Sequence, residues 1–180
     1  MTVKQEKPKK IQYLDIIYGI NFCFINAQRL FTDSEKLYKS GSKESACFLA
    51  VIALEELGKA FIIMESFSSP VDDKYEQFYF NKADFQGLHS HEAKIQRAIT
   101  QSYWANNPNQ EEIAKDINKF IKTMNQLAVI SNGIKKNSLY ISFKNNKFIL
   151  PSINDADLNE LVTSTANLLN TMRPLCATVD

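Results

Sequence analysis

An all-α bundle of four to six helices, with a small β-hairpin before the last of them, is the architecture expected of these 180 residues. Three observations lead to it. Five glycines and five prolines leave little material for turns, so helices should be long and connections few. Apolar residues recur at spacings of three and four over most of the chain. The period shortens to two in one place, around 139–150. A many-stranded β-sandwich and a Gly-rich nucleotide-binding α/β fold are not expected, and the length suffices to bury a core without metals or disulfides.

Residues 1–10 carry four lysines and no apolar run, which predicts a flexible basic tail ahead of a single domain over 11–180. From Ile11 to about Lys39, Leu14, Ile17, Tyr18, Phe24, Ile25, Leu30, Phe31 and Leu37 keep a helical rhythm that stops at Ser40-Gly41-Ser42. Ser42 is placed to cap a second helix, which runs to about Phe67 and ends before Ser68-Ser69-Pro70. Asp72 to Phe80 reads as a short helix or an aromatic-rich connection. A third helix spans about His89 to Trp104 through Ile95, Ala98 and Ile99, and a fourth spans Gln110 to about Lys136 through Ile113, Ile117, Ile121, Met124 and Leu127. Leu139 to Phe143 and Phe148 to Leu150 alternate as strands about an asparagine turn. Asp155 is placed to cap a last helix that ends before Pro174.

With 21 basic and 20 acidic side chains, the net charge of +1 draws the protein onto no polyanion as a whole, so any nucleic-acid contact must be local. Cys23, Cys47 and Cys176 form no CxxC pair, which argues against a disulfide framework or zinc site. No signal peptide is read at the N-terminus, so a reduced, cytoplasmic setting is expected. No cofactor is expected either. A bridging metal would want a Glu-x-x-His spacing, which neither histidine has.

The most informative stretch is Ala46 to Met64, apolar throughout except for Glu55, Glu56, Gly58 and Lys59. A helix apolar on all sides is normally buried in a bundle or in a membrane. Two carboxylates and an ammonium at its centre oppose membrane insertion by roughly 2.5–3.5 kcal/mol each, which leaves the bundle. Ions carried into a dry core must find partners. Glu55 and Lys59 are spaced to pair on the helix, leaving Glu56 in need of a donor from elsewhere. Gly58 marks a turn that another backbone or side chain approaches closely. This cluster reads as a solvated stripe, as a buried ion network that only fixes helix register, or as a functional pocket lined by carboxylates and lysines.

The two histidines, His89 and His91, open the third helix, and His91 shares a face with Lys94 at i, i+3. The helix N-terminus and Lys94 are both expected to favour a neutral His91 imidazole able to act as a base.

The string Ala50-Val51-Ile52-Ala53-Leu54-Glu55-Glu56-Leu57-Gly58-Lys59-Ala60, then His91-Glu92-Ala93-Lys94, then Ser138-Leu139-Tyr140-Ile141-Ser142-Phe143, resembles the AbiV-type abortive-infection proteins of bacteria, part of the HEPN superfamily, over roughly residues 10–175. The resemblance implies a HEPN-like bundle, a homodimer, and an anti-phage toxin that halts gene expression once a phage-encoded protein activates it. Many HEPN relatives are metal-independent ribonucleases with an arginine four to six residues before a histidine. None of Arg29, Arg97 and Arg173 stands so here.

Two functions follow. As a ribonuclease, the protein would use His91 as acid or base, Lys59 and Lys94 to stabilise phosphate charge, and Glu55 or Glu56 to orient them, with Trp104 and Tyr140 stacking on RNA bases. As a binding module, it would use the same polar network only to hold helices in register while its surface recognises a phage or host protein.

Overall fold

The structure is a computed structural model and describes residues 9–66, 77–80, 86–106, 131–138 and 141–176. Two long helices form its first half, α1 (Tyr13–Lys39) and α2 (Lys43–Ser66). They are joined as the breaker residues foretell. Gly41 takes φ +86°, the Ser42 N–H donates to the Leu37 carbonyl at 2.9 Å, and the Gly41 N–H donates to the Tyr38 carbonyl at 3.0 Å. That pair of bonds is a Schellman closure, which needs a left-handed residue and finds it in glycine. The Ser42 carbonyl then receives the Ala46 N–H at 3.0 Å and starts α2. The buried Ser34 hydroxyl donates to the Ala46 carbonyl at 2.7 Å and ties the two helices near the turn.

A single-turn helix α3 (Gln86–His89) leads into α4 (His91–Asn106). Ser90 separates them as the cap of α4: its hydroxyl accepts the Ala93 N–H at 3.2 Å and its carbonyl the Lys94 N–H at 3.2 Å. Residues 131–138 are helical and are called α5. The fourth helix expected over Gln110 to Lys136 lies mostly outside the described residues.

The last helix, α6 (Asp155–Cys176), starts with the Asn154 carbonyl accepting the Leu158 N–H at 3.2 Å, so the cap position is Asn154 and not Asp155. Asp155 instead binds Lys43 at 2.7 Å, joining the starts of α2 and α6. The helix also runs through Pro174, where a stop is expected from sequence. In the final turn a proline forfeits one hydrogen bond, and its fixed φ is already helical.

The central α2 touches α1, α4 and α6, and the core gathers around it from Phe24 and Phe31 of α1, Ile95 and Ala98 of α4, and Leu158, Leu168 and Met172 of α6. Its own Val51, Leu54 and Leu57 are fully buried, each contributing about 1.5–3 kcal/mol of apolar burial. The uniformly apolar helix is thus a bundle core, and among the described residues no helix is long and apolar enough to cross a membrane.

Among the described residues, two small ribbons accompany the helices. The hairpin before the last helix is present as β3 (Ser142–Lys144) and β4 (Lys147–Ile149), turning on Asn145 and Asn146 at φ 52° and 60°. Asparagine tolerates that left-handed pair, the geometry of a type I′ turn. The other ribbon differs from expectation. Lys9–Gln12 (β1) pairs antiparallel with Gln77–Phe80 (β2), Lys9 opposite Phe80 and Gln12 opposite Gln77. The basic tail therefore yields its last two residues to a strand, and the aromatic segment ends in strand rather than helix. Four residues show no readable period, and their pairing joins segments far apart in sequence.

Candidate functional site

The site forms where α2, α4 and α5 meet. It exists because Gly58 lets two helices close together: a Cβ there would sit 1.9 Å from the Lys94 carbonyl oxygen and 2.9 Å from Lys94 Cα. The close approach expected at Gly58 is thus a contact with the α4 backbone, and it brings the first turns of α4 against the polar positions of α2.

Glu55 is the hub. Its side chain is 4% exposed, and three cations or donors converge on it. The His91 Nδ1 lies 2.7 Å from Oε2, the Lys135 Nζ 2.7 Å from Oε1, and the Lys94 Nζ 3.5 Å from Oε2. Burial, the largest single influence, pushes the Glu55 carboxyl up. The hydrogen bonds and charges of Lys135 and His91 outweigh it and hold the group below its ordinary range.

His91 differs from its partner in exposure: its side chain is 57% exposed. Nδ1 faces Glu55 Oε2 at 2.7 Å and the Lys135 ammonium at 3.2 Å: a protonated Nδ1 donates to the carboxylate, whereas a bare Nδ1 accepts from the lysine. The pair therefore links a buried anion to a solvent-reachable imidazole, the arrangement that orients a histidine for proton transfer.

Of the sequence-predicted residues, Glu55, His91 and Lys94 come together. Glu56 and Lys59 do not join them. Lys59 pairs with Glu56 at i, i+3 instead of with Glu55, and Glu56 finds its donor on its own helix. The reason is competition: Glu55's oxygens are already taken by groups from α4 and α5, so Lys59 turns the other way. That second pair is felt at Cys23 of α1, whose thiol is pushed up to about 11, first by burial and then by Glu56, with Lys59 pulling it down. The side chain of Trp104 and the whole of Tyr140 lie outside the described residues. His89 is exposed on α3, before the cap of α4.

Lys135 was not foreseen. It lies on α5, where Ser131, Lys135 and Ser138 repeat at i, i+4 and i+7. That polar stripe at helical spacing, with Ser131 and Ser138 buried, is the signal that points to it. The stripe is held in place by Asn132, which donates to Glu92 of α4 at 3.2 Å, and by Ser138, which donates to the Lys135 carbonyl at 2.9 Å. Among the described residues, no group of three or more His, Cys, Asp or Glu side chains is placed to hold a metal ion.

The one carboxylate of Glu55 stands against the two ammonium groups of Lys94 and Lys135, which leaves one surplus positive charge among these three described side chains. Such a centre suits a singly charged anion arriving from the exposed side.

The family model for AbiV, within the HEPN group, matches residues 15–170, a span that takes in all four of these side chains. No curated protein and no solved structure matches the chain.

Proposed function

From the premise that the chain belongs to the AbiV family of HEPN domains, and so to abortive infection, we propose that it acts as a toxin that cuts RNA without a metal ion and so shuts down translation. The observation that carries this reading is the Glu55–His91 pair, a buried carboxylate holding an exposed imidazole, beside two lysines. In the reaction, Nε2 of His91 accepts the proton of a ribose 2′-hydroxyl. The freed oxygen forms a bond to the adjacent phosphorus, and the bond from phosphorus to the 5′-oxygen breaks. A 2′,3′-cyclic phosphate remains, and the proton held on His91 passes to the departing 5′-oxygen. Lys94 and Lys135 offset the charge that gathers on the phosphate oxygens.

The protein works as a homodimer. Leu14, Tyr18, Phe22 and Ile25 form an exposed apolar stripe on α1, with Phe22 67% exposed and stacked on Tyr18 at 6.3 Å between ring centroids. Four large apolar side chains exposed along one helix face form a contiguous patch of the kind that marks an interaction surface. Its spacing is nearly symmetric about Ile20, Leu14 balancing Ile25 and Tyr18 balancing Phe22, as a two-fold contact between antiparallel copies of α1 requires. A phage-encoded protein is the proposed activator.

A second reading draws on the hairpin, where Ile141, Phe148 and Leu150 are exposed. There the protein is a non-catalytic module that captures a phage or host protein. One experiment separates the two. His91→Ala should keep the helical circular-dichroism spectrum and melting behaviour of the wild type and lose RNA cleavage by at least about 100-fold. Folded His91→Ala that still cuts RNA would remove the imidazole from the chemistry. Growth arrest undiminished by the substitution would favour the binding module.

A further inference from the structure

Lys135 touches both members of the Glu55–His91 pair. Its Nζ donates to Glu55 Oε1 at 2.7 Å and lies 3.2 Å from His91 Nδ1. We propose that Lys135 is a positioning residue which, by answering the negative charge of Glu55, keeps the His91 ring singly protonated, with its proton on Nδ1 and Nε2 bare. The role rests on His91 being the proton acceptor described above.

Charge balance at a carboxylate buried beneath the exposed ring is the physical basis. Among the described residues, the charged groups at the inward edge of the ring are Glu55 from α2 and Lys135 from α5, with Lys94 from α4 beyond them on Glu55. Glu92, also on α4, is engaged by Asn132. A carboxylate shut away from water demands a positive partner. Were the imidazole, also at 2.7 Å, the only partner so close, that demand would draw a second proton onto the ring, and an imidazolium cannot take a proton from a substrate hydroxyl. Lys135 meets the demand with an ammonium and, at 3.2 Å from Nδ1, repels a second positive charge on the ring. The other carboxylate oxygen is then left to hold Nδ1–H, which sets the ring's tautomer and orientation. Lys94 stands farther off, at 3.5 Å, and does not contact the ring among the bonds described.

The placement of Lys135 is itself secured. The Asn132 amide and the Ser138 hydroxyl fix α5 on either side of it, one to α4 and one to its own carbonyl. A lysine that served only to cover the site would need neither the contact with Nδ1 nor these flanking bonds.

Nitrogen NMR on the intact protein tests this, with the His91 ring signals identified by their loss in His91→Ala. At about pH 7 the wild type should show one protonated and one bare ring nitrogen, the bare one being Nε2. Lys135→Met and Lys135→Gln should both show two protonated nitrogens, and Lys135→Arg should restore the wild-type pattern. Two neutral replacements keep the test decisive if one of them does not fold. RNA cleavage should fall at least about tenfold at pH 7 in both neutral variants and recover as the pH is raised, a profile that lost packing alone would not produce. Ring signals unchanged in the folded neutral variants, or an imidazolium already present in the wild type, overturns the proposal whether or not RNA is cut. The expected ring signals in a wild type that cuts no RNA would overturn the ribonuclease reading and uphold the role of Lys135.

Discussion

Glu55 gathers the electrostatics of the bundle onto one side chain that is almost wholly buried. Its partners are what make its charge tolerable, and the dependence is mutual, since Lys94 is itself 7% exposed. Glu55→Gln preserves the shape but leaves an ammonium in the core without its anion. The expected loss is about 3–5 kcal/mol of stability near neutral pH, read from the denaturant midpoint. The acid dependence follows from the same contacts. Lys135 and His91 hold the folded-state carboxyl below its ordinary value of 4.5, so the native state releases this proton more readily than the unfolded chain does. The stabilisation is therefore complete above about pH 4.5 and declines as the pH falls through the lowered value. Denaturation curves from about pH 7 to pH 3 should show a steeper acid loss in the wild type than in Glu55→Gln. Equal slopes in the two proteins would show that Glu55 is not the group whose protonation matters.

Between helices, the decisive contact has no side chain on one side. Gly58 admits the Lys94 carbonyl to within 1.9 Å of where a Cβ would be, and the obstructing atoms are backbone, which cannot rotate away. Gly58→Ala must push α2 and α4 apart, at a cost of about 3 kcal/mol or more, despite alanine's better helix propensity. The same displacement moves His91 and Lys94 away from Glu55, so the proposed RNA cleavage should fall together with stability. A variant as stable as the wild type would mean the helices do not meet as described. This feature was legible beforehand, because a glycine in the middle of a long apolar helix has little other reason to be there. The Schellman turn at Gly41 and the asparagine turn of the hairpin were legible for a similar reason, since left-handed backbone selects a few residue types. The ribbon of β1 and β2 was not, because its four-residue strands carry no periodic signal and depend on each other for pairing.

At the level of the assembled protein, the exposed stripe on α1 sets the expectation for self-association. Phe22 lies near its centre, where a large aromatic contributes most to an interface. Phe22→Lys should weaken the dimer by at least about tenfold in dissociation constant while leaving helical content unchanged, as measured by sedimentation across a concentration series. A wild type that sediments as a monomer at all concentrations would remove the dimer. In the sequence, Leu14, Tyr18 and Ile25 keep the same helical rhythm as Phe24 and Phe31, which are buried. Periodicity identifies an apolar face but cannot tell whether its own bundle or another molecule covers it.

The bundle, the hairpin and the polar break in α2 could all be read from the chain, as could the shared face of His91 and Lys94. Each is a property of spacing within one element, and helical geometry converts such spacing directly into direction. The choice of ionic partners could not be read in this way. Glu55 and Lys59 are well spaced to pair, yet Glu55 bonds to His91 and Lys135, 36 and 80 residues away, while Lys59 turns to Glu56. Several cations compete for one buried carboxylate, and the winner is set by distances of a few ångströms between packed helices, which no local pattern encodes.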